Sequence, residues 1–230
     1  MSWKMLSALV ASLLILGGCV QNDTVGYKAP EQGDPEFLKG KNTRADQLYM
    51  NPDAGEGARN FRKVYIAPAN LSNIQIIKPE GVAADDNWKV TDIEDGILQK
   101  AIVDEFSAAL SFESAYNIVD TREQADMIVH TTVVAIHPNA GREQAEAGGK
   151  TGGAITASIA LVNAKTGNIM VRTVDTKSSD NIWAFNQVEN DDPAVNLIFR
   201  SWGNSMRRGL LHLQGRSNDP LAAPLNLKEQ

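Results

Sequence analysis

Residues 127–136 read MIVHTTVVAI, and this run constrains the fold more than any other stretch of the chain. Seven of its ten residues are Ile, Val or Thr. Side chains branched at Cβ are stiff, crowd a helical turn and pack well on a pleated strand. The run is apolar almost throughout rather than at every second position, which predicts a central strand covered on both faces. A sheet must form around it. The next segment, AITASIALV, alternates, with Ile155, Ala157, Ile159 and Leu161 on one face. NAKTGN then predicts a hairpin turn, Gly167 supplying the positive φ such turns need, and IMVRTVDTK is the returning strand. Upstream, KVYIAPANL predicts a strand in which Val64 and Ile66 alternate with Tyr65 and Ala67 until Pro68 ends the ladder. YNIVD is a further short strand, and TREQAD a turn or single helical turn.

Two helices accompany the strands. In TDIEDGILQKAIVDEFSAAL, Thr91 and Glu94 have the spacing of a capping box, and Asp92 and Asp95 place negative charge at the positive end of the helix dipole. Ile93, Ile97, Leu98, Ala101, Ile102, Phe106, Ala109 and Leu110 fall on one face at helical spacing. In DDPAVNLIFRSWGNSMRRGLLHLQG, Asp192 suits the N-cap, Pro193 the first turn and Gly215 the stop. Val195, Ile198, Phe199, Trp202, Met206 and Leu210 line its apolar face. A sheet with both helices on one side buries both stripes. The expected fold is α/β, an α+β two-layer sandwich over residues 60–215 with a mixed, mostly antiparallel sheet and two main helices on one face.

The first nineteen residues, MSWKMLSALVASLLILGGC, carry one basic residue, Lys4, then an apolar run from Met5 to Leu16, then small residues. That order is a signal peptide, predicted over residues 1–18, and the apolar run is short of the ~20 residues a membrane span needs. Leu16, Gly17, Gly18 and Cys19 resemble the bacterial lipobox. The resemblance implies peptidase recognition of Leu16, Gly17 and Gly18, and attachment of lipid to the Cys19 thiol, with two or more acyl chains forming a stable anchor. Cys19 is the only cysteine of the 230-residue chain, so no intrachain disulfide is possible. Val20, rather than Asp, follows it, which by resemblance to enterobacterial sorting favours the outer membrane. Residues 19–59 are polar and rich in Gly, Pro, Asn and Asp, and predict a flexible tether with Leu38, Tyr49 and Met50 as local docking points. Residues 216–230 predict a loose tail.

Residues 147–153, AGGKTGG, raise the question of a phosphate-binding loop. Such a loop needs a glycine, four further residues and then Gly-Lys-[Ser/Thr], and the place of that first glycine holds Gln144. It also needs a helix next, whose N-terminus faces the phosphate, whereas AITASIALV alternates like a strand. No nucleotide is expected. A net charge of −6 repels phosphate backbones, so no nucleic acid is expected either. His130, His137 and His212 lack metal-ligand spacing, and Glu189, Asp191 and Asp192 read as helix-start electrostatics rather than a calcium loop. No catalytic set, metal or cofactor is predicted. Trp183, in DNIWAFNQ, follows a polar loop and is the candidate partner contact.

The stretch GGAITASIALVNAKTGNIMVRTVDTK, followed by NLIFRSWGNSMRRGLLHL, resembles an uncharacterised family of Gram-negative lipoproteins, domain of unknown function 3313. VYIAPANL and ADMIVHTTVVAI are similar to that family's earlier strands, and Asn163 stands where the family pattern has Asp. The resemblance implies no activity. The expected function is a non-enzymatic outer-membrane lipoprotein whose periplasmic α/β domain serves as an adaptor or scaffold for an envelope complex. The alternatives are a periplasmic small-ligand or lipid-binding lipoprotein, which needs an apolar cavity, and a hydrolase, which needs clustered titratable groups in a cleft.

Overall fold

The computed structural model describes residues 38–39, 45–80, 90–140, 152–180, 182 and 194–217. The signal peptide, Cys19, Trp183 and the acidic cluster at 189–192 lie outside the described residues. Chain order is β1 (Leu38–Lys39), β2 (Gln47–Met50), α1 (Ala54–Ala58), β3 (Lys63–Ile66), β4 (Gln75–Ile76), α2 (Asp92–Ser111), β5 (Asn117–Ile118), β6 (Met127–Pro138), β7 (Gly153–Asn163), β8 (Ile169–Ser179) and α3 (Ala194–Leu213). The strands form one mixed sheet in the order β1-β2-β8-β7-β6-β3-β5, with β4 also paired to β6. Pairings from β1 through β2, β8 and β7 to β6 are antiparallel, and those of β3 with β5 and β6, and of β4 with β6, are parallel. The expected two-layer α/β architecture is therefore the observed one.

The long hairpin is dictated by its residues. MIVHTTVVAI lies within β6, with Met127 and Val129 in the main core and Ile128 in a smaller cluster on the opposite face. Ile155, Ala157, Ile159 and Leu161 of β7 all join the main core. Gly167 holds φ +74° in the β7–β8 turn, where Asn163 Oδ1 accepts from the backbone N–H of Lys165 and Thr166 at 2.9 and 3.2 Å. Asn at this position does the turn-closing work of Asp. Gly153, the last glycine of AGGKTGG, opens β7; a Cβ there would lie 2.6 Å from the His137 carbonyl oxygen and 3.0 Å from Ile182. The glycine-rich stretch thus leads into a strand, not a helix, and Gly153 serves close strand approach.

Both helices share a core with one face of the sheet, where Phe106 and Leu110 of α2 meet Phe199 and Trp202 of α3. The capping box is present: Glu94 N–H donates to Thr91 Oγ1 at 3.3 Å and Thr91 N–H to Glu94 Oε2 at 2.7 Å. Ile93 departs from the predicted face and is 77% exposed, because the buried stripe of α2 runs through Glu94, Leu98, Ile102, Glu105, Phe106, Ala109 and Leu110 and leaves Ile93 beside it. Glu105, which apolar periodicity passes over, is buried and grips Arg200 of α3 through two bonds, Nε to Oε2 at 2.8 Å and an η nitrogen to Oε1 at 2.9 Å. Helix α3 ends in a Schellman motif: Gly215 at φ +66° donates to the His212 carbonyl at 2.9 Å, and Arg216 N–H donates to that of Leu211 at 2.7 Å.

The largest correction concerns the tether. Residues 47–58 belong to the folded body rather than to a flexible segment. β2 pairs with β8 from Gln47↔Val174 to Met50↔Val171, burying Leu48 and Met50, and Ala54 and Ala58 of α1 are buried in turn. Gln214 secures this segment, donating from Nε2 to the carbonyls of Ala58 at 2.7 Å and Phe61 at 3.1 Å while accepting from Tyr116 Oη at 2.9 Å. Burial pushes the Tyr116 hydroxyl up to about 12, against the opposing charge of Arg216. The expected tail also starts ordered: Arg216 donates to the Ala115 carbonyl at 3.0 Å, and residues from 218 lie outside the described residues.

The entry into β3 is set by Asp126, whose Oδ2 accepts from the backbone N–H of Arg62 at 2.9 Å and Lys63 at 3.0 Å. Partial burial works to raise its pKa, but the two N–H bonds and the charges of Lys63 and Lys165 outweigh this and hold it below the ordinary range. A depressed carboxyl stabilises the fold above its unfolded pKa of ~3.9, and that contribution fades as pH falls through the lower folded value. Asp126→Ala is expected to cost about 1 kcal/mol at pH 7, discounted for solvent screening. In denaturant titrations the gap to the parent protein should begin to narrow near about pH 4 and go on shrinking as pH falls through the lower folded value. A gap independent of pH would show that the charge plays no part.

Candidate functional site

Strand β3, helix α2 and strand β5 make a β-α-β unit, with β3 and β5 parallel neighbours. In such units the helix N-terminus returns to the carboxyl end of the first strand, and open α/β sheets bind ligands outside those carboxyl ends. A cleft of about 820 Å³ lies there. Its lining comes from the segment after β3, including Ala69 and Asn70, from the first turns of α2, including Asp92 and Gln99, and from β6, including His130 and Thr131.

The local chemistry explains how the cleft is held open. Pro68 interrupts the ladder after Ile66, so β3 and β4 are separate pieces laid along β6. Asn70 bridges the gap, donating to the Thr131 carbonyl at 2.8 Å and accepting from Val133 N–H at 3.1 Å. β5 is two residues long and its register with β3 ends at Val64↔Ile118, so the sheet has no further neighbour beside Ala69 among the described residues. Gln99 reaches across from α2 instead: Ala69 N–H donates to Gln99 Oε1 at 2.6 Å, and Gln99 Nε2 donates back to the Ala69 carbonyl. Asp92 and Asp95 bring negative charge to the lining and Arg122 a positive one. Thr131 is 2% exposed, and its hydroxyl makes no hydrogen bond among the described residues.

No site residue expected from the sequence is among the described residues that line this cleft. Leu16, Gly17, Gly18, Cys19 and Trp183 fall outside the described residues. Of the histidines, His130 lines the cleft, His137 Nε2 is 3.3 Å from Thr156 Oγ1 on the neighbouring strand, and His212 is in the last turn of α3. They do not converge. Among the described residues no group of three or more His, Cys, Asp or Glu is placed to hold a metal ion, and no helix is long and apolar enough to cross a membrane. Trp202, expected to be packing, is packing with a polar tether: it is 3% exposed and its Nε1 donates to Asp175 Oδ2 at 2.8 Å. The cleft residues carry no motif, since they come from four separated segments that only the fold assembles.

The domain is a two-layer α/β body with a mixed sheet. No family model matches the chain and no curated protein does, so the resemblance to family 3313 rests on the sequence motifs alone. Solved structures resemble it distantly, at low identity. A hypothetical protein from Chlamydia trachomatis, CT253, is 8% identical over 67% of this chain and 99% of its own, with a TM-score of 0.42. Protein XCC0632 from Xanthomonas campestris is 9% identical over 68% of this chain and 87% of its own, at 0.40. Lipoprotein GNA1162 from Neisseria meningitidis is 10% identical over 61% of this chain and 94% of its own, at 0.33. Likenesses this distant say nothing about function.

Proposed function

We propose that this chain is a lipoprotein of the Gram-negative outer membrane, anchored through Cys19, whose periplasmic α/β body is a non-catalytic adaptor or scaffold for an envelope complex. The observation that carries the reading is the sole cysteine standing directly after Leu16-Gly17-Gly18 at the end of a short apolar run. The cleft favours a protein partner over the lipid-binding alternative. Its lining includes Asn70, Thr91, Asp92, Asp95 and Arg122, and an acyl chain laid against them would strip water from charged and polar groups without replacing their hydrogen bonds.

Crosslinking of the lipidated protein in intact cells, with Cys19→Ala as the unanchored control, tests it. The parent protein is expected to take up labelled fatty acid and sediment with membranes, and to capture a defined envelope protein. Cys19→Ala is expected to take up no label, to leave the membrane fraction almost entirely and to lose most of that capture, because stable anchoring needs at least two acyl chains. Label and membrane retention unchanged in Cys19→Ala would overturn the anchor. Capture no higher than background would overturn the adaptor.

A further inference from the structure

The edge of the sheet beside Ala69 is completed by a side chain rather than a strand. In an antiparallel ladder, a hydrogen-bonded pair of residues exchanges both N–H···O=C bonds. Ala69 makes both bonds, but with the amide of Gln99, a residue of α2 thirty positions away. A side-chain amide has the donor and acceptor of a peptide group, so what fits the Ala69 edge is a peptide group. Among the described residues no strand continues past β5 along that edge, since its register with β3 ends at Ile118. The same cleft holds a polar group short of a partner: the Thr131 hydroxyl, on a residue 2% exposed, makes no hydrogen bond among the described residues. The charge around the edge has a sign. Among the described lining residues Asp92 and Asp95 stand against one cation, Arg122, in a chain of net charge −6.

We infer that the cleft is a strand-docking slot plugged by Gln99. An extended segment of a partner protein, bearing basic side chains, displaces the Gln99 amide and takes the two bonds of Ala69. Its next polar group reaches the Thr131 hydroxyl, and its basic residues face Asp92 and Asp95. Gln99 thereby has two duties: it satisfies an open edge that would otherwise recruit strands indiscriminately, and it competes with the guest. Exchanging two hydrogen bonds for two leaves the added contacts and the charge pairing to set the affinity. The inference rests on the adaptor reading and names the chemistry of the partner segment.

The test uses the full lipidated chain in detergent micelles and two fluorescent seven-residue peptides, one alternating lysine with valine and one alternating glutamate with valine. Anisotropy titrations are expected to show saturable binding of the lysine peptide, at least about tenfold tighter than the glutamate peptide at low salt. Gln99→Ala removes the competitor and should tighten the lysine peptide by about three- to tenfold. Thr131→Val keeps the shape of the side chain and deletes the hydroxyl; it should weaken the peptide while the melting temperature stays the same or rises, a combination that a purely structural role for Thr131 does not give. Equal titrations for the two peptides, or no gain in Gln99→Ala, would overturn the slot. If cellular crosslinking captures an envelope partner while these titrations fail, the adaptor stands and the slot falls; if the titrations succeed while capture stays at background, the slot stands and the adaptor falls.

Discussion

Trp202→Ala is expected to destabilise the body by about 3–5 kcal/mol, the range for deleting a large buried aromatic side chain. Two losses combine. The indole is 3% exposed and packs against Phe199 with ring centroids 5.9 Å apart, so its removal leaves a hole between α3 and the sheet. Its Nε1–H also donates to Asp175 Oδ2, and the Asp175 carboxylate is itself buried, sharing its remaining capacity with the Asp46 N–H at 3.2 Å and Lys177 Nζ at 3.2 Å. Trp202→Phe separates the two effects. It retains most of the apolar volume while removing the N–H and part of the ring, for an expected cost of about 1–2 kcal/mol. Urea denaturation of the three proteins measures both. A phenylalanine variant as unstable as the alanine variant would mean that the Asp175 bond, rather than packing, dominates this corner.

Gly203→Ala is expected to lower stability by about 1–3 kcal/mol, although alanine is the better helix former by nearly 1 kcal/mol. A Cβ at position 203 would stand 2.7 Å from the Ala109 Cβ and 3.4 Å from the Glu105 carbonyl oxygen and the Phe106 ring. None of the three is the loose end of a long chain, so α2 and α3 must move apart and strain the Glu105–Arg200 pair that spans them. Gly209 lies in the same helix with nothing within 4 Å of its would-be Cβ. Gly209→Ala is therefore expected to raise stability by about 0.5–1 kcal/mol. Opposite signs for these two substitutions in one helix would localise the close crossing to Gly203, and gains at both would show that the helices separate freely.

Legibility in the sequence depends on range. Signals within one element are readable: the capping box at Thr91 and Glu94, the alternation from Ile155 to Leu161, the Gly167 turn. Each rests on residues a few positions apart. The segment 47–58 resembles a tether because its reason for folding is distant. Gln47 to Met50 is a four-residue strand whose partner is β8, more than 120 positions later, and AGEGA, with two glycines, reads as loop until Gln214 fastens the Ala58 carbonyl. Ile93 falls on the apolar face by spacing, but the stripe that is buried passes through Glu94 in the same turn, a carboxylate that hydrophobic spacing passes over. The cleft is hidden for a third reason: Ala69 and Gln99 are ordinary residues, and their pairing exists only where β5 stops short.

The early start of the body sets how far it can work from a membrane. β1 pairs Leu38 with Met50, so the run from Cys19 to Leu38 is nineteen residues. At full stretch, ~3.3–3.6 Å per residue, that length reaches at most roughly 65 Å, about half the span that a body starting at residue 60 would command. On the anchoring proposed above, with Cys19 in the inner leaflet of an outer membrane, this length would confine the body to a shell beneath that bilayer, and a guest would have to come within that radius. Inserting residues between Cys19 and Leu38 would widen the shell without touching the domain.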